Sequence, residues 1–409
     1  MTTGKNAYIC DGIRTPFGRY GGSLAPLRTD DLAALTLQQL MKRNSQIEAA
    51  AIDEVILGCA NQSGEDNRNV ARMALLLAGI PHSVPGITVN RLCASGLDAV
   101  IAASRQIRAG EADLILAGGV ESMTRSPFVI GKSESAFGRM QKMEDTTMGW
   151  RFINPRLKEL YGVDTMPQTG EHVAREFNIS RADQDAFALR SQERYAVAHS
   201  QGIFKHELFS VELPPVKGQS EPRFFDKDEY PRDTSLEALA KLKGVVESHG
   251  TGPSTVTAGN SSGINDGAVG LVIASEEAIK KYSLKPRARI VSAAAAGVLP
   301  KIMGMGPVPA VNKVLAQSKL KLKDIGIIEL NEAFASQAVA VLRELGLPDD
   351  AEFVNPHGGA IAIGHPLGAS GARLALHASL ELHRRETRYA LCTLCVGVGQ
   401  GAALLLERV

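Results

Sequence analysis

The chain has 409 residues, 44% of them hydrophobic, and 45 Lys and Arg against 44 Asp and Glu leave a formal charge of +1. That length exceeds one compact unit and predicts two similar-sized domains, while the balanced charge gives no electrostatic case for nucleic acid or an anionic membrane as the main partner. Residues 1–7 hold no apolar signal core, no run approaches the roughly 20 apolar residues of a membrane span, and five cysteines form no disulfide framework, so the expectation is a cytoplasmic protein acting on a small substrate.

Helical stretches bounded by glycine alternate with short apolar runs, which predicts a layered α/β architecture. The first constellation is Val89-Asn90-Arg91-Leu92-Cys93-Ala94-Ser95-Gly96, followed by a helical pattern with Leu97, Val100, Ile101 and Ser104 on one face. Cys93 therefore sits at a helix start, where free amides and the helix dipole favour a nucleophilic thiolate. The competing reading is a buried cysteine acting as a small hydrophobe. A strand is expected over 112–117. Residues 124–252 differ, being rich in charge, Met and Pro with weak strand signals, and read as a long excursion over the surface.

Further strands are expected over 271–274, 389–394 and 402–406. Between them, Glu329-Leu330-Asn331-Glu332-Ala333-Phe334-Ala335 places polar groups at the carboxyl end of an apolar run, a usual site for function, although Asn331 also suits a turn or cap. Next, the glycines of Gly358-Gly359-Ala360-Ile361-Ala362-Ile363-Gly364-His365-Pro366-Leu367-Gly368 let backbone approach a ligand beside His365, a candidate base. A phosphate loop would need a Lys-Ser or Lys-Thr pair after the glycines, and none is present. His357 reads as structural or solvent-facing. Cys392-Thr393-Leu394-Cys395-Val396-Gly397 has no second cysteine pair to complete a zinc site. Side chains three apart on a strand face opposite ways, so Cys395 is expected in a pocket and Cys392 in the core.

A faint repeat links two halves. Ala94-Ser95-Gly96 recurs as Ala369-Ser370-Gly371 at an offset of 275 residues, as does Ala103-Ser104 in Ala378-Ser379, and Asp53 to Leu57 parallels Asp324 to Ile328. A duplicated scaffold would set Cys93 and the 365–395 region on facing, equivalent loops.

Together these motifs resemble those of the thiolases, acyl-CoA:acetyl-CoA C-acyltransferases, over essentially the whole chain. The resemblance implies two duplicated βαβαβαββ halves forming a five-layer α-β-α-β-α sandwich with an inserted loop domain. Residues 1–123 and 253–279 would form the N-terminal domain, 124–252 the loop domain and 280–409 the C-terminal domain. It also implies that Cys93 carries the acyl group, His365 takes its proton and Cys395 protonates the departing carbanion. One anion site would combine His365 with a water held by Asn331, and the other the amides of Cys93 and Gly397. Ser262, Met166, Met303 and Phe334 become candidate contacts to coenzyme A or the acyl pocket. Coenzyme A and acyl-CoA are then substrates, with no metal or organic cofactor, no nucleic acid and no membrane partner expected, and a dimer or tetramer.

The 89–100, 145–155 and 161–167 stretches look most like the 3-oxoadipyl-CoA thiolases, with an acetoacetyl-CoA or broader 3-ketoacyl-CoA thiolase as the alternative. A substrate ending in a carboxylate would want a basic pocket end, for which Arg139, Lys142, Arg151 and Arg156 are available, though each also suits surface or coenzyme A phosphates. His357 departs from the Asn that many family members carry before the two glycines. Ketoacyl synthases pair their cysteine with two histidines, and Cys395 argues against them. A non-catalytic acyl-CoA carrier is disfavoured by the presence of Cys93, His365 and Cys395 together.

Overall fold

The computed structural model describes residues 4–215, 218, 221–247 and 253–409, so the domain boundary expected at 252 lies outside the described residues. The first half runs β1 (Tyr8–Arg14), α1 (Thr29–Arg43), β2 (Glu54–Gly58), α2 (Val70–Leu77), β3 (Gly86–Val89), α3 (Ser95–Ala109) and β4 (Leu114–Ser122). After the excursion, which carries α4 (Met166–Glu176) and α5 (Arg181–Ser200), the chain returns as β5 (Asn265–Ala274). The second half runs β6 (Ala288–Gly297), α6 (Pro307–Ser318), β7 (Ile327–Leu330), α7 (Ala335–Glu344), α8 (Leu367–Arg384), β8 (Tyr389–Val396) and β9 (Gln400–Arg408).

The strand order is β3-β2-β4-β5-β1 in one half and β7-β8-β9-β6 in the other, joined where Tyr8 and Ile9 of β1 pair with Arg289 and Ala288 of β6. Each half repeats the same pairings: β4 parallel to β2 and antiparallel to β5, β8 parallel to β7 and antiparallel to β9. The duplication is incomplete. Where the first half has β3, the second has only a parallel bridge between Ile328 and Val354.

Strand alternation sorts the side chains into layers. Val269, Leu271 and Ile273 of β5 and Ala402, Leu404 and Leu406 of β9 face a common middle core that also holds α3 and α8. Ala268, Val272 and Ala274 face the outer layer of α1 and α2. Ala403 and Leu405 face that of α6 and α7. The five layers of the expected sandwich follow from this.

The repeated Ala-Ser-Gly acquires a reason at the centre. A Cβ on Gly96 would lie 2.4 Å from the Gly368 carbonyl oxygen, and one on Gly371 would lie 2.5 Å from the Leu97 nitrogen. Only glycine lets the first turns of α3 and α8 touch backbone to backbone. Because the helix starts meet, the residues just ahead of them, Cys93 and His365, are brought to one place.

The excursion is less superficial than its composition predicts. Among its described residues the strands are two short pairs, Phe128–Ile130 with Met143–Asp145 and Val211–Leu213 with Arg223–Phe225. Helix α5 starts in a capping box of Ser180 and Asp183, and both long helices bury a face. The physical reason is Arg14, fully buried on β1, whose guanidinium binds Glu207 at 2.7 Å and Asp228 at 2.6 and 2.9 Å. Both acids come from the excursion, and losing either would leave a buried cation short of a partner.

Candidate active site

Cys93 lies in a short 3-10 turn, Leu92–Ala94, between β3 and α3. The turn is held locally. Asn90 Oδ1 accepts the Leu92 amide at 2.8 Å and its Nδ2 donates to the Ala60 carbonyl at 3.0 Å, while the Ser95 hydroxyl donates to the Leu92 carbonyl at 2.7 Å. Leu92 itself sits at φ +45°, a left-handed conformation that costs energy for a non-glycine residue and here aims the next side chain. The backbone N–H of Gly397 lies near enough to the Cys93 sulfur to favour its thiolate. Burial nevertheless pushes the thiol up to about 11, with the Glu121 carboxylate adding to the rise and the two amides opposing it. Desolvation here opposes the helix-start pull toward a thiolate, in line with the competing reading of Cys93 as a buried cysteine.

His365 follows Gly364, whose φ of +109° and contact with Asn265 leave no room for a side chain. The Asn265 side-chain oxygen accepts the His365 backbone N–H at 2.9 Å. Ser370 Oγ lies 2.6 Å from Nδ1 and 2.9 Å from the Pro366 carbonyl. Since the hydroxyl has one proton and gives it to the carbonyl, it accepts from Nδ1–H, which leaves the lone pair on Nε2. That nitrogen stands 3.3 Å from the Asn331 amide. Burial lowers the imidazole to about 4, so it is neutral near pH 7 and able to take a proton.

Burial raises the thiol of Cys395, at the end of β8, well above the ordinary range, and the nearby Cys93 sulfur adds to the rise. It packs with Val256, Met303, Ala333 and Phe334, flanked by Met166. Gly397 would meet Leu92 at 2.9 Å and Met166 at 4.0 Å if it carried a Cβ. The Ser262 amide bonds the Ala333 carbonyl at 3.0 Å. Cys392, three residues back, belongs to the middle core as expected. Two groupings thus stand out: Cys93 beside Cys395 and Gly397, next to the apolar cluster of Val256, Met303, Ala333 and Phe334, and His365 Nε2 beside Asn331.

The family models for the thiolase N-terminal and C-terminal domains match residues 7–277 and 284–408. The chain belongs to the thiolase family. Beta-ketoadipyl-CoA thiolase of Acinetobacter baylyi is 60% identical over 99% of this chain and 100% of its own. The 3-oxoadipyl-CoA/3-oxo-5,6-dehydrosuberyl-CoA thiolase of Escherichia coli is 60% identical over the same shares. Among solved structures, the Bacillus anthracis acetyl-CoA acetyltransferase matches with a TM-score of 0.91 at 37% identity over 100% of both chains. The family makes this protein an acyltransferase that handles acyl-CoA and coenzyme A, and no helix among its described residues is long and apolar enough to cross a membrane.

Sequence reasoning missed three groups that hold the thiolase site. Ser370 was visible only as part of a repeat, and Asn265 lay six residues ahead of the strand expected over 271–274 and was not singled out. Glu121, fully buried at the end of β4, accepts the amides of Ala60 at 2.9 Å, Asn61 at 3.0 Å and Gly368 at 2.8 Å, binding the loop behind Cys93 to the loop of His365. Burial, with Asp66 adding to it, lifts its carboxyl to about 7 against the pull of those amides. The available signal was a carboxylate at the C-terminal end of an apolar strand, the position that already marked Asn331.

The basic candidates separate. Arg139, Lys142 and Arg156 are exposed, and Lys142 pairs with Glu144 at 2.8 Å. Arg151 is half-buried and donates to the Asn61 carbonyl at 3.2 Å, beside the Ala60 carbonyl that holds Asn90.

Proposed function

We propose that this thiolase cleaves 3-oxoadipyl-CoA with coenzyme A to succinyl-CoA and acetyl-CoA through an acyl-enzyme on Cys93. His365 Nε2 takes the Cys93 proton, and the sulfur attacks the 3-keto carbon. The bond between carbons 2 and 3 then breaks, and the acetyl-CoA enolate receives the Cys395 proton. Coenzyme A gives its thiol proton to Cys395 and attacks the thioester on Cys93. Succinyl-CoA leaves, and His365 returns its proton to Cys93. Asn331, through a water beside His365, and the amides of Cys93 and Gly397 serve the two oxyanions, while Ser262, Met166, Met303 and Phe334 line the way for pantetheine and acyl chain. The cycle as proposed uses no metal or organic cofactor.

The observations that support the chemistry are Cys395 beside Cys93 and an Nε2 lone pair on His365 fixed by Ser370. The substrate assignment rests on the 60% identity to two dicarboxylate-named thiolases and on Arg151, whose guanidinium can meet the distal carboxylate. Rates with 3-oxoadipyl-CoA, acetoacetyl-CoA and a medium-chain 3-oxoacyl-CoA test this. The dicarboxylate should be the preferred substrate, and Arg151→Met should raise its KM roughly 10-fold or more while leaving acetoacetyl-CoA unchanged. If acetoacetyl-CoA is turned over as well as 3-oxoadipyl-CoA, the assignment fails. We further propose a cytoplasmic homodimer or homotetramer and take residues 124–252 as the loop domain. In support of assembly, Phe128, Ile130, Phe137, Met140 and Met143 present an exposed apolar surface that a second copy would cover.

A further inference from the structure

Among the described residues the catalytic cycle leaves two clusters of ligating side chains unused, Cys59 with Asp66 and Glu121, which hold the loop behind Cys93, and His357 with His377 and Glu381. His377 and Glu381 lie one turn apart on α8, on one face, and His357 reaches them from the turn that leads to Ala360 and His365. Their ligating atoms all lie within 4.8 Å of one another. His357 Nδ1 is 3.0 Å from His377 Nε2 and 3.5 Å from Glu381 Oε2. Ligands around a tetrahedral ion with bonds of about 2.0–2.1 Å stand about 3.3 Å apart, so the two measured edges bracket that spacing.

We propose that His357, His377 and Glu381 bind a divalent transition cation of the zinc class, which clips the turn ahead of His365 to helix α8. Glu207 Oε2 lies 2.7 Å from His377 Nδ1. The proton is therefore on that nitrogen, Nε2 presents its lone pair to the cluster, and the carboxylate behind the imidazole is the usual support for a metal-bound histidine. When the cation enters, His357 moves its proton from Nδ1 to Nε2, so the His357–His377 hydrogen bond is exchanged for two metal bonds with no net proton release. Two imidazoles and one carboxylate suit zinc, cobalt or nickel better than magnesium or calcium, which take oxygen. His377 and Glu381 are buried and the His357 side chain is 12% exposed, so His357 is the member of the cluster nearest solvent.

Several charged groups face the cluster. Arg384 bonds Glu381 Oε1, Arg385 Nε stands 3.5 Å from Oε2, Arg373 is paired with Glu329 at 2.8 Å, and Arg14 is paired with Glu207. Arg384 and Arg385 share the Glu381 carboxylate with the cation and so weaken the site relative to a dedicated zinc centre.

Cobalt(II) titration followed by visible absorption tests the site, using the Cys93→Ala protein to remove a competing thiol. One equivalent should give ligand-field bands without sulfur-to-cobalt charge transfer and should raise the melting temperature. His357→Asn and Glu381→Gln should each weaken binding at least about 10-fold and abolish the melting shift. With Cys93 intact, His357→Asn should retain thiolysis, which shows that the fold survives; if Glu381→Gln does not fold, His357→Asn decides alone. No stoichiometric bands, bands that persist in His357→Asn, or bands that arise only from sulfur ligation would overturn the proposal.

Discussion

Replacing Ser370 with alanine isolates how the imidazole is held. In the wild type the hydroxyl accepts from Nδ1–H at 2.6 Å while donating to the Pro366 carbonyl at 2.9 Å, so one tautomer is fixed and Nε2 is left free toward Asn331 at 3.3 Å. Once Nε2 has taken the Cys93 proton the ring is cationic, and its bond to Ser370 is charge-assisted. Such bonds contribute about 1.5–3 kcal/mol, and each 1.4 kcal/mol is tenfold in rate. Ser370→Ala should therefore lower kcat for thiolysis about 10- to 150-fold, with KM changed far less because the serine touches no substrate. Ser95 is the equivalent residue in the first half, yet it bonds the Leu92 carbonyl and the Arg91 amide rather than a ring. Ser95→Ala should disturb the Cys93 turn, and with it alkylation of the thiol, whereas Ser370→Ala should leave alkylation at high pH intact. Steady-state kinetics on folded, melting-checked protein would refute the reasoning if Ser370→Ala kept kcat within about twofold or lost activity only through KM.

Cys395→Ser should retain acyl transfer from a simple acyl-CoA to Cys93 but slow carbon–carbon cleavage by about 100-fold or more; mass spectrometry of the acyl-enzyme beside the cleavage assay separates the two, and equal loss of both contradicts the division of labour. With the Cys93 thiol near 11 and the His365 imidazole near 4, both groups are neutral at rest. Iodoacetamide labelling of Cys93 without substrate should therefore climb steadily from pH 7 to 10, and a plateau reached by pH 8 would reveal a resting thiolate–imidazolium pair instead. Gly96→Ala places a methyl 2.4 Å from the Gly368 oxygen and 2.9 Å from the Ala372 nitrogen, both backbone atoms that cannot rotate away. A stability loss of about 1–3 kcal/mol or more, read by urea denaturation, should accompany a fall in activity, because Gly368 is in the His365 loop; unchanged stability would mean that the helix crossing is looser than the geometry says.

How much of this was legible depended on whether a residue's role is local or assembled. Cys93, Asn331, His365 and Cys395 each end an apolar run or sit among glycines, and such punctuation survives in one dimension. Strand alternation likewise separated Cys395 from Cys392 correctly, because period two is a property of the backbone alone. The surroundings of Cys93 were not legible for the opposite reason: the helix start is visible in sequence, whereas the burial and the Glu121 carboxylate that raise the thiol come from the fold. Glu121 and Arg14 were overlooked for the same cause, since nothing near either in the chain announces the loops that it will bind. The excursion shows the limit of composition most directly. Its charge and proline suggested a superficial strap, yet two of its acids, Glu207 and Asp228, neutralise an arginine buried on β1, and Glu207 reaches on to His377. A carboxylate that satisfies a cation on one side and fixes a histidine tautomer on the other couples the excursion to α8, the helix whose first turn begins two residues after His365. The repeat in the sequence recorded where the two halves touch, at Gly96 and Gly371; the pairings that join the excursion to that core have no repeat to betray them.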